Sequence, residues 1–213
     1  MNTWTDDMWI LVLQLLQRKP VGVKPMFAPA TVELALELHI EPQEIHRRMF
    51  MLRQPEQPSL RHLVETIGAS PAKLKREAQR VRQMRGCGNE AAFYDGVEIN
   101  ETFEKDFRPV NEDTRLTPVM LIMILDLYFR LVPSTMVVDT PDVQELARMM
   151  KVSAQEVVDV LELYQYCDPY ITHTDSRFDP LLPDCFRIWR RFDDTGDPAV
   201  LTNMASQLQA YWK

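Results

Sequence analysis

The chain repeats itself at long range, and that repeat limits its possible folds more than any other feature. Displaced by 112 positions, Thr5–Leu52 lies without a gap on Thr117–Tyr164. Identical positions include Thr5/Thr117, Ile10/Ile122, Leu13/Leu125, Leu15/Leu127, Arg18/Arg130, Pro29/Pro141, Glu33/Glu145, Leu34/Leu146, Ala35/Ala147, Gln43/Gln155 and Glu44/Glu156. Apolar character is kept at others, such as Val12/Ile124, Ile40/Val152, Ile45/Val157 and Met49/Leu161. Composition alone does not readily produce so long an ungapped match. The expected architecture is an internal duplication: two related halves, each built on one three-helix unit. A chain of 213 residues has room for two small domains with cores of their own.

Helix signals punctuate both halves. Thr5 reads as the cap of a first helix running to about Arg18, with Asp6 and Asp7 where the helix dipole favours acids. Its apolar residues nearly surround the axis, which predicts a central helix. A second helix starts at Pro29, a residue whose fixed φ suits the first helical position, and a third starts at Pro42. Ser59–Ile67 reads as a helix stopped at Gly68. Ser70 and Pro71 open the next, with Leu74, Ala78 and Val81 on one face. In the second half, Thr117-Pro118 and Thr140-Pro141 start helices, and Ser153 with Glu156 forms a capping box for a third reaching about Tyr166. Two further helices, Pro183–Phe192 and Pro198 to about Trp212, close the chain.

Residues 86–115 break this rhythm. Asp95-Gly96 between Phe93-Tyr94 and Val97–Ile99 is a hairpin signal, followed by an acidic linker. Tyr170–Thr172 is a second candidate strand. The expected fold class is therefore all-α with one or two small β-hairpins, divided into domains at 1–112 and 113–213.

One spacing recurs three times: Leu34-Ala35, Leu38, Pro42 and Ile45; Leu63-Val64, Ile67, Pro71 and Leu74; Leu146-Ala147, Met150, Ala154 and Val157. This pattern resembles the helix-turn-helix and winged-helix superfamily, over about 48 residues of each half and over residues 59–85. The resemblance implies that the third helix of each unit is presented outward. The usual turn glycine is replaced by His39 and Lys151 in two copies, while Gly68 sits near it in the middle one. The superfamily includes both DNA-binding regulators and pure protein-interaction modules, so it does not choose between them.

Charge separates the copies. The whole chain has a net charge of -7, which argues against a generally cationic, nucleic-acid-wrapping surface. Yet Leu60–Arg85 holds Arg61, Lys73, Lys75, Arg76, Arg80, Arg82 and Arg85 against Glu65 and Glu77, a local net of +5. On a helix begun by Pro71, Lys73, Arg76, Arg80 and Gln83 share one stripe, suited to phosphates or base edges. The same stripe also reads as an ordinary solvated face. The copy at 153–166 has the opposite sign, with Glu156, Asp159 and Glu162 outward, which suits a basic protein surface or a second copy of the chain. Arg47 and Arg48 in the first copy read mainly as complements to the helix dipole.

Chemistry-bearing constellations are thin. The three cysteines, Cys87, Cys167 and Cys185, form no CxxC pair, which points away from a disulfide scaffold and toward a reducing, cytoplasmic setting. The four histidines show no zinc spacing; Cys167, His173 and Cys185, at spacings of six and twelve, could converge but read mainly as coincidence, and Asp175, Asp179 and Asp184 lack the glycine and closing Glu of a calcium loop. No phosphate-loop, dinucleotide or nucleophile-elbow motif occurs. The N-terminus, with Asp6 and Asp7 before its apolar run, does not read as a signal peptide. Asp126 and Arg130 cut the apolar run after Val119 well short of the about 20 residues of a membrane span. Trp4, Trp9, Trp189 and Trp212 read as core or interface anchors.

The resulting expectation is a non-enzymatic regulator without cofactor or metal. It would bind double-stranded DNA through Lys73, Lys75, Arg76, Arg80, Arg82 and Gln83. The alternative is an adaptor that uses its helical units, and the Glu156, Asp159 and Glu162 face in particular, to bind a protein partner or itself as a homodimer. Neither reading involves a membrane.

Overall fold

Two helices whose apolar residues leave almost no polar face each organise a bundle. In the computed structural model, which describes residues 4–18, 22–84, 103–172 and 178–213, these are α1 (Met8–Gln17) and α6 (Pro118–Arg130). The chain divides into two compact units, Met1–Glu104 with Lys213 and Lys105–Trp212, so the division falls ahead of the 112–116 stretch.

In the first unit α1 buries Trp9, Leu11, Val12, Leu13 and Leu15. Around it pack α2 (Pro29–Leu38), α3 (Pro42–Arg53) and α5 (Pro71–Arg82), while α4 (Pro58–Thr66) lies on α3. Each of α2 to α5 has proline at its start, where the missing N–H costs no helical hydrogen bond. One core joins Leu34, Ala35, Ile45, Met49 and Leu52 to Leu74, Ala78 and Val81. The turn before α5 is tight. A Cβ on Gly68 would collide with the Val64 carbonyl oxygen, and the Gly68 carbonyl accepts a hydrogen bond from Gln17 Nε2 at 2.8 Å.

In the second unit every residue of α6 from Pro118 to Tyr128 is buried, Asp126 among them. Against it pack α7 (Pro141–Met150), α8 (Ala154–Cys167), α9 (Leu182–Asp193) and α10 (Pro198–Leu208). Tyr164 is completely enclosed, and its hydroxyl donates to the Leu121 carbonyl at 2.9 Å. The expected capping box is present: Ser153 Oγ accepts from the Glu156 N–H at 3.1 Å, and Glu156 Oε2 accepts from the Ser153 N–H at 2.8 Å.

The helix ends at His39 and Lys151 explain the absent turn glycines. Both residues adopt the left-handed conformation, at φ 53° and 60°, as the C-terminal caps of α2 and α7. The next N–H reaches back in each case, Ile40 to Ala35 O at 3.0 Å and Val152 to Ala147 O at 3.1 Å. This is the wrapped C-terminal closure that glycine usually supplies.

Every regular element among the described residues is helical. The expected hairpin around Asp95-Gly96 lies outside the described residues. Tyr170–Thr172 is not a strand. Asp168 Oδ1 accepts the Tyr170 N–H at 2.9 Å and the Asp168 carbonyl accepts the Ile171 N–H at 3.2 Å, so the segment turns back on itself. The first helix also begins later than expected, at Met8, with Thr5 and Asp6 supplying carbonyls rather than a side-chain cap.

Candidate nucleic-acid interface

Helix α5 has two unlike faces. Leu74, Ala78 and Val81 face the core and hold it on α1, and the opposite side is left to solvent. Ser70 Oγ caps its start by accepting the Lys73 N–H at 3.3 Å, which fixes where the outer face begins. Lys75, Arg76, Arg80, Arg82 and Gln83 are exposed, and Lys73 is half-buried.

Burial and pairing sort these cations. Lys73 Nζ donates to the Thr66 carbonyl at 3.2 Å, closing the end of α4 with a positive charge at its negative pole. Arg76 and Arg80 share one carboxylate, Glu77, at 3.6 and 3.4 Å, while their side chains stay 75 % and 76 % exposed. Such long, solvated pairs contribute little and are readily exchanged for another anion. Arg82 is different. Its guanidinium forks onto Glu37, with Nε on Oε1 and Nη2 on Oε2 at 3.1 Å, and its Nη1 donates to Gln14 Oε1 at 3.0 Å. That fork ties α5 to α1 and α2, so Arg82 serves the fold. By helical spacing Lys73, Arg76 and Arg80 share one outer stripe and Gln83 follows at its end, while Lys75 lies on the other flank of the helix, with Arg82.

The neighbouring cations of the first unit are committed elsewhere. Arg47 and Arg48 both pair with Glu44, and the Arg48 guanidinium sits 3.8 Å from the Trp4 ring centre. Their partner is thus a first-turn carboxylate rather than the helix C-terminus. His39 Nδ1 lies 3.3 Å from Glu104 Oε1 in a nearly closed site. Burial holds His46 below its ordinary pKa.

On α8 the three acids expected to face a partner also differ among themselves. Glu156 is occupied by the capping box, and Asp159 accepts from Gln155 Nε2 at 2.8 Å. Asp159 and Glu162 are exposed. By sequence, the second unit carries 10 Lys and Arg against 17 Asp and Glu, a net of -7, whereas the first carries 14 of each. The acidic excess of the chain therefore belongs wholly to one unit.

No family model, curated protein or solved structure matches the chain. Among the described residues no group of three His, Cys, Asp or Glu is placed to hold a metal ion. Cys167 and Cys185 are buried free thiols. Burial pushes Cys167 up to about 12 and Cys185 higher still, which leaves both unreactive. His173 lies outside the described residues. No described helix is long and apolar enough to cross a membrane.

Sequence reasoning missed two features. The Arg82–Glu37 fork joins residues 45 positions apart, with no local signal. A cleft in the second unit, between α6, α9 and the start of α10, was also missed. The strong amphipathicity of 182–193, with Ile188, Trp189 and Phe192 on one side, was its only sequence trace.

Proposed function

We propose that this protein is a non-enzymatic, nucleic-acid-associated regulator that binds duplex DNA along the outer face of α5. Lys73, Lys75, Arg76 and Arg80 lie against phosphates, and Gln83 is placed to reach a base edge. The observation that carries the reading is the weak pairing of Arg76 and Arg80, two highly exposed guanidinium groups with a single shared carboxylate on a rigidly packed helix. A preformed, loosely neutralised cationic stripe is what phosphate binding requires. Arg82, by fastening α5, positions that stripe.

This reading includes a helix-turn-helix ancestry for the α1–α3 and α6–α8 units by duplication. It is supported by the boundaries of α7, which are those of α2 displaced by the repeat distance, and by left-handed caps at the matched residues His39 and Lys151. The two units have since diverged in charge.

Fluorescence anisotropy with a labelled duplex tests the assignment. A Lys73→Ala/Arg76→Ala/Arg80→Ala variant, which leaves the Leu74, Ala78 and Val81 face intact and gives up only the Lys73–Thr66 hydrogen bond and the loose Glu77 pairs, is expected to fold and to lose most of its affinity. Equal affinity in the variant would remove α5 from the interface.

The acidic second unit supports a second reading, an adaptor that binds a protein partner or a second copy. Exposed Asp159 and Glu162 on α8 favour it.

A further inference from the structure

The second unit holds a cleft to which no role has been given so far. It has a volume of about 550 Å³ and is walled by α6, α9 and the first turn of α10. Trp189, Phe192 and Leu201 are almost wholly buried and form its apolar lining, while Phe129 stands at its edge with 59 % of its surface exposed. Phe129 and Trp189 are in ring contact, at 5.2 Å between centres. Val132, just past the end of α6, is equally exposed. Phe129 and Val132 thus leave apolar surface open beside the cleft.

Its lining carries three carboxylates, Asp126, Asp193 and Asp197, against one guanidinium, Arg130. Asp193 and Asp197 line the cleft and are exposed. The turn that carries them is closed by Gly196 at φ +63°, whose N–H donates to the Asp193 carbonyl at 3.1 Å. Asp197 also accepts the Ala199 N–H, capping α10. A third acid, Asp126, is held by Arg130 Nε at 3.1 Å and by Thr202 Oγ1 at 3.0 Å. Arg130 is the one cation of the lining, and that pairing neutralises it. Arg191, on the same helix as Trp189, is bound to Asp106.

We infer that this cleft docks a helical segment of a partner protein that carries aliphatic side chains on one face and Lys or Arg beside them. The inference rests on the second reading, that the acidic unit binds protein, and is independent of DNA binding. The aliphatic side chains enter between Phe129, Trp189 and Leu201, and the cations meet Asp193 and Asp197. Helix-in-groove recognition uses this combination of aromatic anchor and complementary rim. A small free cation fits less well, because pockets for small molecules enclose most of their ligand and this one leaves Phe129 in solvent.

Calorimetric titration of the full chain with three helical peptides of equal length tests it: one alternating Leu and Lys at amphipathic spacing, one with Glu for each Lys, one with Ser for each Leu. The Leu/Lys peptide is expected to bind at least about tenfold tighter than the other two. Phe129→Ser is expected to weaken it by a similar factor. Asp193→Asn/Asp197→Asn, which keeps the α10 cap, is expected to reduce both its affinity and its salt dependence. If no peptide binds, the cleft is no docking site, and the protein-binding reading of this unit is left to the α8 face with Asp159 and Glu162. If the Leu/Lys peptide binds but ignores these substitutions, the site alone is wrong. Displacement of the peptide by phenethylammonium at equal affinity would make the cleft a small-molecule site, and light scattering that shows a dimer broken by Phe129→Ser would make it a self-interface; either overturns the proposal.

Discussion

Arg80 and Arg82 are two residues apart on one helix, yet they face different tasks. Arg80 stays in solvent beside Glu77, while Arg82 turns back to fork onto Glu37 and reach Gln14. The planar guanidinium is what makes that fork, so Arg82→Lys should cost nearly as much stability as Arg82→Ala, about 1 kcal/mol by urea unfolding. Arg80→Ala should leave stability within about 0.5 kcal/mol of the parent. Lys151 gives a second residue-scale test. It is an exposed, left-handed cap in a conformation that costs an ordinary L-residue about 1–2 kcal/mol. Lys151→Gly, after subtraction of glycine's greater chain entropy, should raise stability by about 0.5–1 kcal/mol.

At the scale of elements, the bundle around α6 buries groups that ionise only at high pH. Tyr164 and Tyr128 are raised above the ordinary phenol pKa, first by burial. The Tyr128 hydroxyl also donates to Asp168 at 2.8 Å. Burial likewise raises Cys167, to about 12 from 9.0, and Cys185. A group whose folded pKa is raised stabilises fully below its unfolded value and loses that contribution as pH climbs through the folded one. The second unit should therefore hold constant stability up to about pH 8.5 and weaken steadily above 9. Unfolding monitored by Trp189 fluorescence checks this, and Cys167→Ala/Cys185→Ala should shift the onset toward pH 10. Helix positions were largely legible in the sequence because proline starts and Ser caps act locally: Pro29, Pro42, Pro71, Pro141 and Ser153 all sit where they were expected. The stripe on α5 was legible for the same reason. The destination of Arg82 was not, because it depends on where α2 packs. The turn at Tyr170 was missed because its β-prone residues are overruled by the Asp168 carboxylate.

At the scale of the molecule, polarity is divided between units rather than mixed. The acidic excess lies entirely in residues 105–212, and the first unit, neutral in sum, carries Lys73, Lys75, Arg76, Arg80 and Arg82 on α5. Net charge alone hid this, because the two contributions are added. On the proposed reading, two units so unlike in charge would hold two different partners. The cleft of the second unit was beyond sequence reasoning, since its walls come from three helices and only folding brings Phe129 beside Trp189. On the proposed reading, Lys73, Lys75, Arg76 and Arg80 displace counterions from a duplex. Its most direct test is the slope of log K against log salt concentration for duplex DNA. Four phosphate contacts predict a slope between about −3 and −4, falling by about 3 in the Lys73→Ala/Arg76→Ala/Arg80→Ala variant. A slope near zero, or one that the variant shares, would contradict it.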